Sequence, residues 1–191
     1  MKYILLLFLL PSSVFSQEKG DLDYTFTSLK EADERPEIVY QLSLKKQRLS
    51  DFPKNLNRFV NLRTLDLSKN KISLIPAEIA LLKTLEVINL SSNKIYLLPP
   101  QLGELENLEE LYLSKNDIEK IPAEFSKLQA LNSIDLWSNN LQFVSPEIAK
   151  LTTLERIDVR GMVLSDEMKQ NLEKWLPNAE VEYSGGCNCG F

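Results

Sequence analysis

Two cysteines, Cys187 and Cys189, stand in the string GGCNCGF that closes the 191-residue sequence. They are its only thiols, so any nucleophilic or redox chemistry through sulfur has to begin there. In an oxidising compartment they are expected to pair with each other or with a second thiol, although a C-x-C ring is tight. Cross-linking of two chains, metal binding and thiol–disulfide exchange are the alternatives. Two thiols do not supply the four ligands that tetrahedral zinc takes. There is no histidine. This removes Ser-His-Asp and Cys-His catalytic sets and histidine–zinc centres together. Neither G-x-x-x-x-G-K-[ST] nor G-x-G-x-x-G occurs, so no phosphate-cradling loop is expected. A thiol-dependent enzyme would rest on Cys187 and Cys189 alone. No catalytic residue is assigned, and no metal or cofactor is expected.

The remaining polar residues with a regular spacing belong to a repeated string. LRTLDLSKNKISLIP (62–76) returns as LEVINLSSNKIYLLP (85–99), LEELYLSKNDIEKIP (108–122) and LNSIDLWSNNLQFVS (131–145), each start 23 residues after the last. The same register reaches back to Val39, with Leu42, Leu44, Leu49 and Phe52-Pro53 in phase. It runs forward to Leu154, with Ile157, Val159 and Leu164 in phase. Six units therefore start at 39, 62, 85, 108, 131 and 154, and a fixed period of this length marks a stacked array. In the unit from 62 the apolar positions are Leu62, Leu65, Leu67, Ile72, Ile75, Ile79 and Leu82. Alternation around Leu65-Asp66-Leu67 predicts a short strand. The stretch after Pro76 has helical spacing, and proline is comfortable in a first helical turn. Each unit should be a strand, a turn and a short helical or 3₁₀ segment. One unit buries too little to fold alone, so the units must stack and share their leucine layers.

Asn70, Asn93, Asn116 and Asn139 occupy the ninth position of the four regular units. There the chain leaves the strand while still covered by its neighbour, and buried backbone groups need partners. An amide both donates and accepts, so this column is assigned to holding turns rather than to catalysis. The end units carry Gln47 and Met162 instead.

The pattern L-x-x-L-x-L-x-x-N-x-L, followed by x-x-[IL]-P and a trailing L-x-x-L, resembles the leucine-rich repeat family in its 23-residue class. The resemblance covers about 39–164, and the leader described below gives the chain the look of an exported bacterial-type member. It implies an α/β solenoid, curved, with a parallel β-sheet on the concave face and short helical or 3₁₀ segments on the convex face. It also implies binding of other macromolecules, usually proteins. On the concave face the third, fifth and seventh positions should point outward. Most are small or polar. Tyr112 and Trp137 are the exceptions, in neighbouring units, and exposed aromatics of this kind anchor interfaces. With Glu110, Asp135, Asp158 and Arg160 they make up the candidate partner-binding set. Beside them the eighth and tenth positions form a basic strip, Lys46, Arg48, Lys69, Lys71, Lys94 and Lys115. Of these, Lys69 and Lys115 join the candidate set. A face divided in charge could steer a partner of opposite polarity. A protein partner is expected. The alternative is a polysaccharide or other ligand receptor, with sugars stacked on Tyr112 and Trp137 and hydroxyls taken by Asp135.

The ends differ from the repeats. MKYILLLFLLPSSVFS (1–16) reads as a secretory signal, with Lys2 as its charged start and cleavage expected before Gln17. Its apolar run is shorter than the roughly 20 residues a membrane-spanning helix needs. A buried N-terminal helix is the competing reading. No cysteine follows the run, so no lipid anchor is read there. The mature chain is expected to be periplasmic or extracellular and to lack a membrane span. Residues 17–38 read as an N-terminal cap, with Ser28 and Glu31 as a capping box, or else as a linker. Residues 165–183 read as a C-terminal cap, a helix begun by Ser165 followed by a strand containing Val181 and Tyr183. Trp175 is assigned to its core side, and 184–191 form the cysteine-bearing tail. The net charge of −5 argues against nucleic acid, which needs a basic surface.

Overall fold

The structure is a computed structural model and describes residues 22–184; the leader expected over 1–16 and both cysteines lie outside the described residues. Six short strands repeat at the expected period: β2 (Gln41–Ser43), β3 (Thr64–Asp66), β4 (Val87–Asn89), β5 (Glu110–Tyr112), β7 (Ser133–Asp135) and β9 (Arg156–Asp158). Two more extend the sheet at its ends, β1 (Thr25–Phe26) and β10 (Glu180–Glu182). All pair in parallel in the order β1-β2-β3-β4-β5-β7-β9-β10. The register places Leu42, Leu65, Ile88, Leu111, Ile134 and Ile157 side by side. Each is at most 1% exposed, so they form one interior column, as the spacing predicts.

In the four units from 62 to 131 the other half is 3₁₀ helix rather than α-helix: Ala77–Leu81, Pro100–Glu104, Ala123–Lys127 and Pro146–Lys150. A proline stands at the N-cap or first turn of each. Five residues cannot complete two α-turns, and the tighter 3₁₀ winding suits such short pieces. Ile79, Leu102, Phe125 and Ile148 bury their side chains from these segments into the same core as the strand leucines. On that side a second, two-stranded sheet joins β6 (Lys120–Ile121) to β8 (Phe143–Val144), and Leu74 bridges to Leu97 in the same sense.

The asparagines close the turns by one scheme. The Asn93 amide donates to the carbonyls of Leu67 and Leu90 at 3.0 and 2.9 Å, and its oxygen accepts from Ile72 N–H at 3.0 Å. Asn70, Asn116 and Asn139 repeat the pattern one unit away on either side and beyond.

Both ends are sealed. At the start, Ser28 Oγ accepts from Glu31 N–H at 3.2 Å and opens α1 (Leu29–Ala32), with Ala32 buried. β1 precedes it, a strand the sequence does not announce, and it buries Phe26 beside Leu42. At the far end, Ser165 Oγ accepts from Met168 N–H at 3.1 Å and opens α2 (Asp166–Trp175). Leu172 and Leu176 are buried, and Met168 and Trp175 pack on the core from partly exposed positions. One expectation fails. The seventh-position serines Ser68 and Ser114 are buried, at 2% and 8% exposure, rather than turned outward. The strands end at the fifth position, so the alternation that would expose the seventh no longer applies.

Candidate functional site

The fifth position does more than point from the sheet. Asp66 and Asn89 accept the backbone N–H two residues on, at Ser68 (2.8 Å) and Ser91 (3.0 Å). Asp135 does the same for Trp137 at 2.9 Å, and Asp158 for Arg160 at 3.0 Å. These side-chain turns, a habit of Asp and Asn, fix where the seventh residue projects. In the unit from 108 the fifth residue is Tyr112, whose hydroxyl donates to the Glu110 carboxylate. That bond, with partial burial and the charge of Glu110 behind it, pushes the Tyr112 pKa up to about 12.

Trp137 is held on two sides. The Lys115 ammonium lies over its ring, 4.5 Å from the centroid, a cation–π contact. Against its Nε1 and Cδ1 lies Gly161, where a Cβ would come within 2.9 and 3.1 Å. Gly161 also has φ +73°, which glycine adopts without strain. The indole keeps 40% of its surface exposed.

The acidic and basic residues beyond it form a tied cluster. Arg160 makes two parallel bonds to Asp158, Nε to Oδ1 at 3.0 Å and Nη2 to Oδ2 at 2.6 Å. Its Nη2 also pairs with Glu182 at 2.9 Å. Arg156 pairs with the other oxygen of Glu182. Burial would raise the Asp158 pKa, but the bonds and charge of Arg160 outweigh it and hold the carboxyl below its ordinary value.

Together Tyr112, Asp135, Trp137, Arg156 and Arg160 line one shallow depression of about 220 Å³, with Ser133 in its floor. Of the residues singled out from sequence, Tyr112, Trp137, Asp135, Asp158 and Arg160 are brought together there. Glu110 stands behind it as the partner of Tyr112, and Lys115 as the cover of Trp137. Asp158 is corrected from a contact residue to an internal brace, being 5% exposed with its carboxylate spent on Arg160. Lys69 does not reach the depression and stays on the edge of the stack. Arg156, Glu182 and Gly161 complete the arrangement without having been singled out. The period would have shown Arg156 and Gly161, since they follow Ser133 and Ser138 by one repeat. Glu182 comes from the cap strand, which carries no repeat signal. A larger groove of about 780 Å³ lies on the other side, between Phe52, Pro53, Leu74 and Leu82.

Among the described residues no helix is long and apolar enough to cross a membrane, and no group of three or more His, Cys, Asp or Glu residues could hold a metal ion.

A family model for the leucine-rich repeat region matches residues 39–180. Among solved structures, a leucine-rich repeat protein of Leptospira interrogans is 27% identical over 83% of this chain and 46% of its own, with a TM-score of 0.65. The ectodomain of the Arabidopsis thaliana membrane receptor kinase GASSHO1/SCHENGEN3, solved in complex with Casparian strip integrity factor 2, is 28% identical over 76% of this chain and 18% of its own, with a TM-score of 0.62. An internalin of Listeria monocytogenes shares the fold at 21% identity and a TM-score of 0.58, over 79% of this chain and 48% of its own. The chain thus spans less than half the length of each of these proteins. No curated relative matches by sequence.

Proposed function

Because this chain belongs to the leucine-rich repeat family, we propose that it is a non-enzymatic interaction module that binds a protein partner through the concave face of its sheet. Members of this family typically act as protein-interaction modules, and one of the similar ectodomains was solved with its partner. The observation that carries the reading is the depression around Trp137. A large aromatic, half out of solvent and already oriented, loses little freedom on binding. Arg156 and Arg160 beside it are fixed by Glu182, so their charges are also pre-placed. A partner segment that presents an apolar side chain to the indole fits this arrangement. The leader-like residues 1–16 support an exported protein, periplasmic or extracellular.

A glycan receptor is the second reading, since Trp137 and Asp135 sit together as sugar binding would require. The Lys115 contact argues against it, because one face of the ring is already covered. The test is affinity capture with the wild-type chain, repeated with Trp137→Ala and Tyr112→Ala combined. The double variant is expected to lose a partner that the wild type retains, with unchanged circular dichroism. Equal retention by both would remove the assignment of this face. Binding on a glycan array that Trp137→Ala abolishes would favour the second reading. Thiol–disulfide exchange lost in Cys187→Ser would reopen the enzymatic one.

A further inference from the structure

Apart from Lys115, which covers Trp137, the basic strip is not absorbed by the concave site. Its residues stand in two hydrogen-bonded columns along one edge of the stack. At the eighth position Lys46 N–H bonds to Ser68 O, Lys69 to Ser91 O, Ser92 to Ser114 O and Lys115 to Trp137 O, at 2.7 to 3.0 Å. At the tenth, Lys71 N–H bonds back to Leu49 O and Lys94 to Ile72 O, at 2.8 and 2.9 Å. The backbones in each column are therefore one strand spacing apart, about 4.8 Å. Lys46, Arg48, Lys69, Lys71, Lys94 and Lys115 are all exposed. Among the described residues, the first five have no ion-pair partner within 4.0 Å.

The backbone adds a second observation. Lys46, Arg48, Lys69 and Lys115 have φ between 55° and 60°. A long side chain in this left-handed region costs about 1 kcal/mol or more that glycine would not, and the last unit does use a glycine, Gly161. The eighth position is left-handed in all six units, at Ser92 and Ser138 as well, so the turn sets this backbone and brings the basic residues into line from unit to unit.

We propose that this edge binds a linear anionic polysaccharide, one carrying a sulfate or carboxylate on successive sugars. A glycan advances by about one ring length per charge, close to the column spacing. An extended acidic peptide repeats its same-side charges every ~6.8 Å and falls out of step within two repeats. Five of the six cations are lysines, compact and mobile point charges that follow a uniform polyanion without needing a fixed fork geometry. The aromatic in contact with the strip, Trp137, lies at its end with one face covered by Lys115, so it does not give the run of open platforms that nucleic-acid stacking would ask. The net charge of −5 also opposes a general polyanion affinity, so binding must be local to this edge.

The test uses the purified chain with dextran sulfate, polygalacturonate, unmodified dextran and poly-L-glutamate, followed by isothermal titration calorimetry. Dextran sulfate or polygalacturonate should bind, with affinity falling as salt rises, and neutral dextran should not. Combined Lys69→Gln, Lys71→Gln and Lys94→Gln should weaken binding at least tenfold at unchanged thermal midpoint. An equal change in net charge elsewhere, Lys54→Gln, Lys127→Gln and Lys174→Gln, should leave it within twofold. Equal weakening by both triple variants, or no binding of either anionic glycan, overturns the proposal. Binding of poly-L-glutamate as tight as that of the glycans would assign the edge to acidic polypeptide instead. Trp137→Ala with Tyr112→Ala should leave glycan binding intact, so this proposal and the concave-face reading can fail separately.

Discussion

Tyr112 takes a place that Asp or Asn holds in most of the units, and the exchange gives the surface a titrating group. Its neutral hydroxyl donates to Glu110. Ionisation would set a phenolate against that carboxylate. In the unfolded chain a tyrosine titrates near 10, whereas folding pushes this one up to about 12. A group whose pKa rises on folding stabilises fully below its unfolded value and loses that contribution as pH climbs through the folded one. The stability difference between wild type and Tyr112→Phe should therefore be constant below pH 10 and shrink toward about pH 12. Phenolate absorbance, wild type minus Tyr112→Phe, should show a component that titrates well above 10. Glu110→Gln should bring its midpoint down. A Tyr112 component titrating near 10 in the wild type would show that the Glu110 contact is not kept in solution.

At the scale of the element, the turn after each strand is where sequence and structure agree most closely. A recurring amide says what it is for, since nothing else buried there could serve two carbonyls and one N–H together. Asn93 is buried on both sides by neighbouring units, while Asn139 is half-buried. Asn93→Ala strands the Ile72 N–H away from water, while Leu67 O and Leu90 O each keep a second amide donor, from Asn70 and Asn116. It should cost about 3 kcal/mol in urea unfolding, the upper end of ~1–3 for one such group. Asn139→Ala should cost about 1 kcal/mol, because water can replace part of what is lost. Equal losses at the two sites would contradict this account. The period and the leucine columns were legible because they recur six times. What occurs once was not. β1 is two residues long and owes its pairing to Phe26 finding the Leu42 layer. Gly103 has no signal in its own segment, yet a Cβ there would lie 2.2 Å from the Glu124 carbonyl of the next 3₁₀ turn. The depression was half legible. Its aromatics stand out from a polar column, but Asp158 looks like a free carboxylate until Arg160 is seen to consume it. Glu182 becomes part of the site only because β10 pairs with β9.

For the whole molecule, the stack has no centre. Each layer touches only the layers before and after, so stability passes along it by neighbour contacts and each end needs a seal. At the C-terminal end that seal is α2, whose Leu172 is fully buried, followed by β10, whose pairing with β9 holds Glu182 beside the arginines of the depression. Leu172→Ala removes side-chain packing worth about 2–5 kcal/mol. In a protein with one central core that loss would be felt everywhere. In this arrangement it should loosen the last layers first, because local opening follows the least stable unit. Amide hydrogen exchange should therefore accelerate most at Val159 and Glu180, which bond across β9 and β10. Leu67 and Leu90, which hold the middle strands, should keep most of their protection. The same substitution should weaken binding at the Trp137 depression, since freeing β10 frees Glu182, while leaving the basic edge at Lys69 to Lys94 untouched. Uniform acceleration along the chain would show that the layers unfold as one unit, and the seal would then govern global stability rather than the shape of one face.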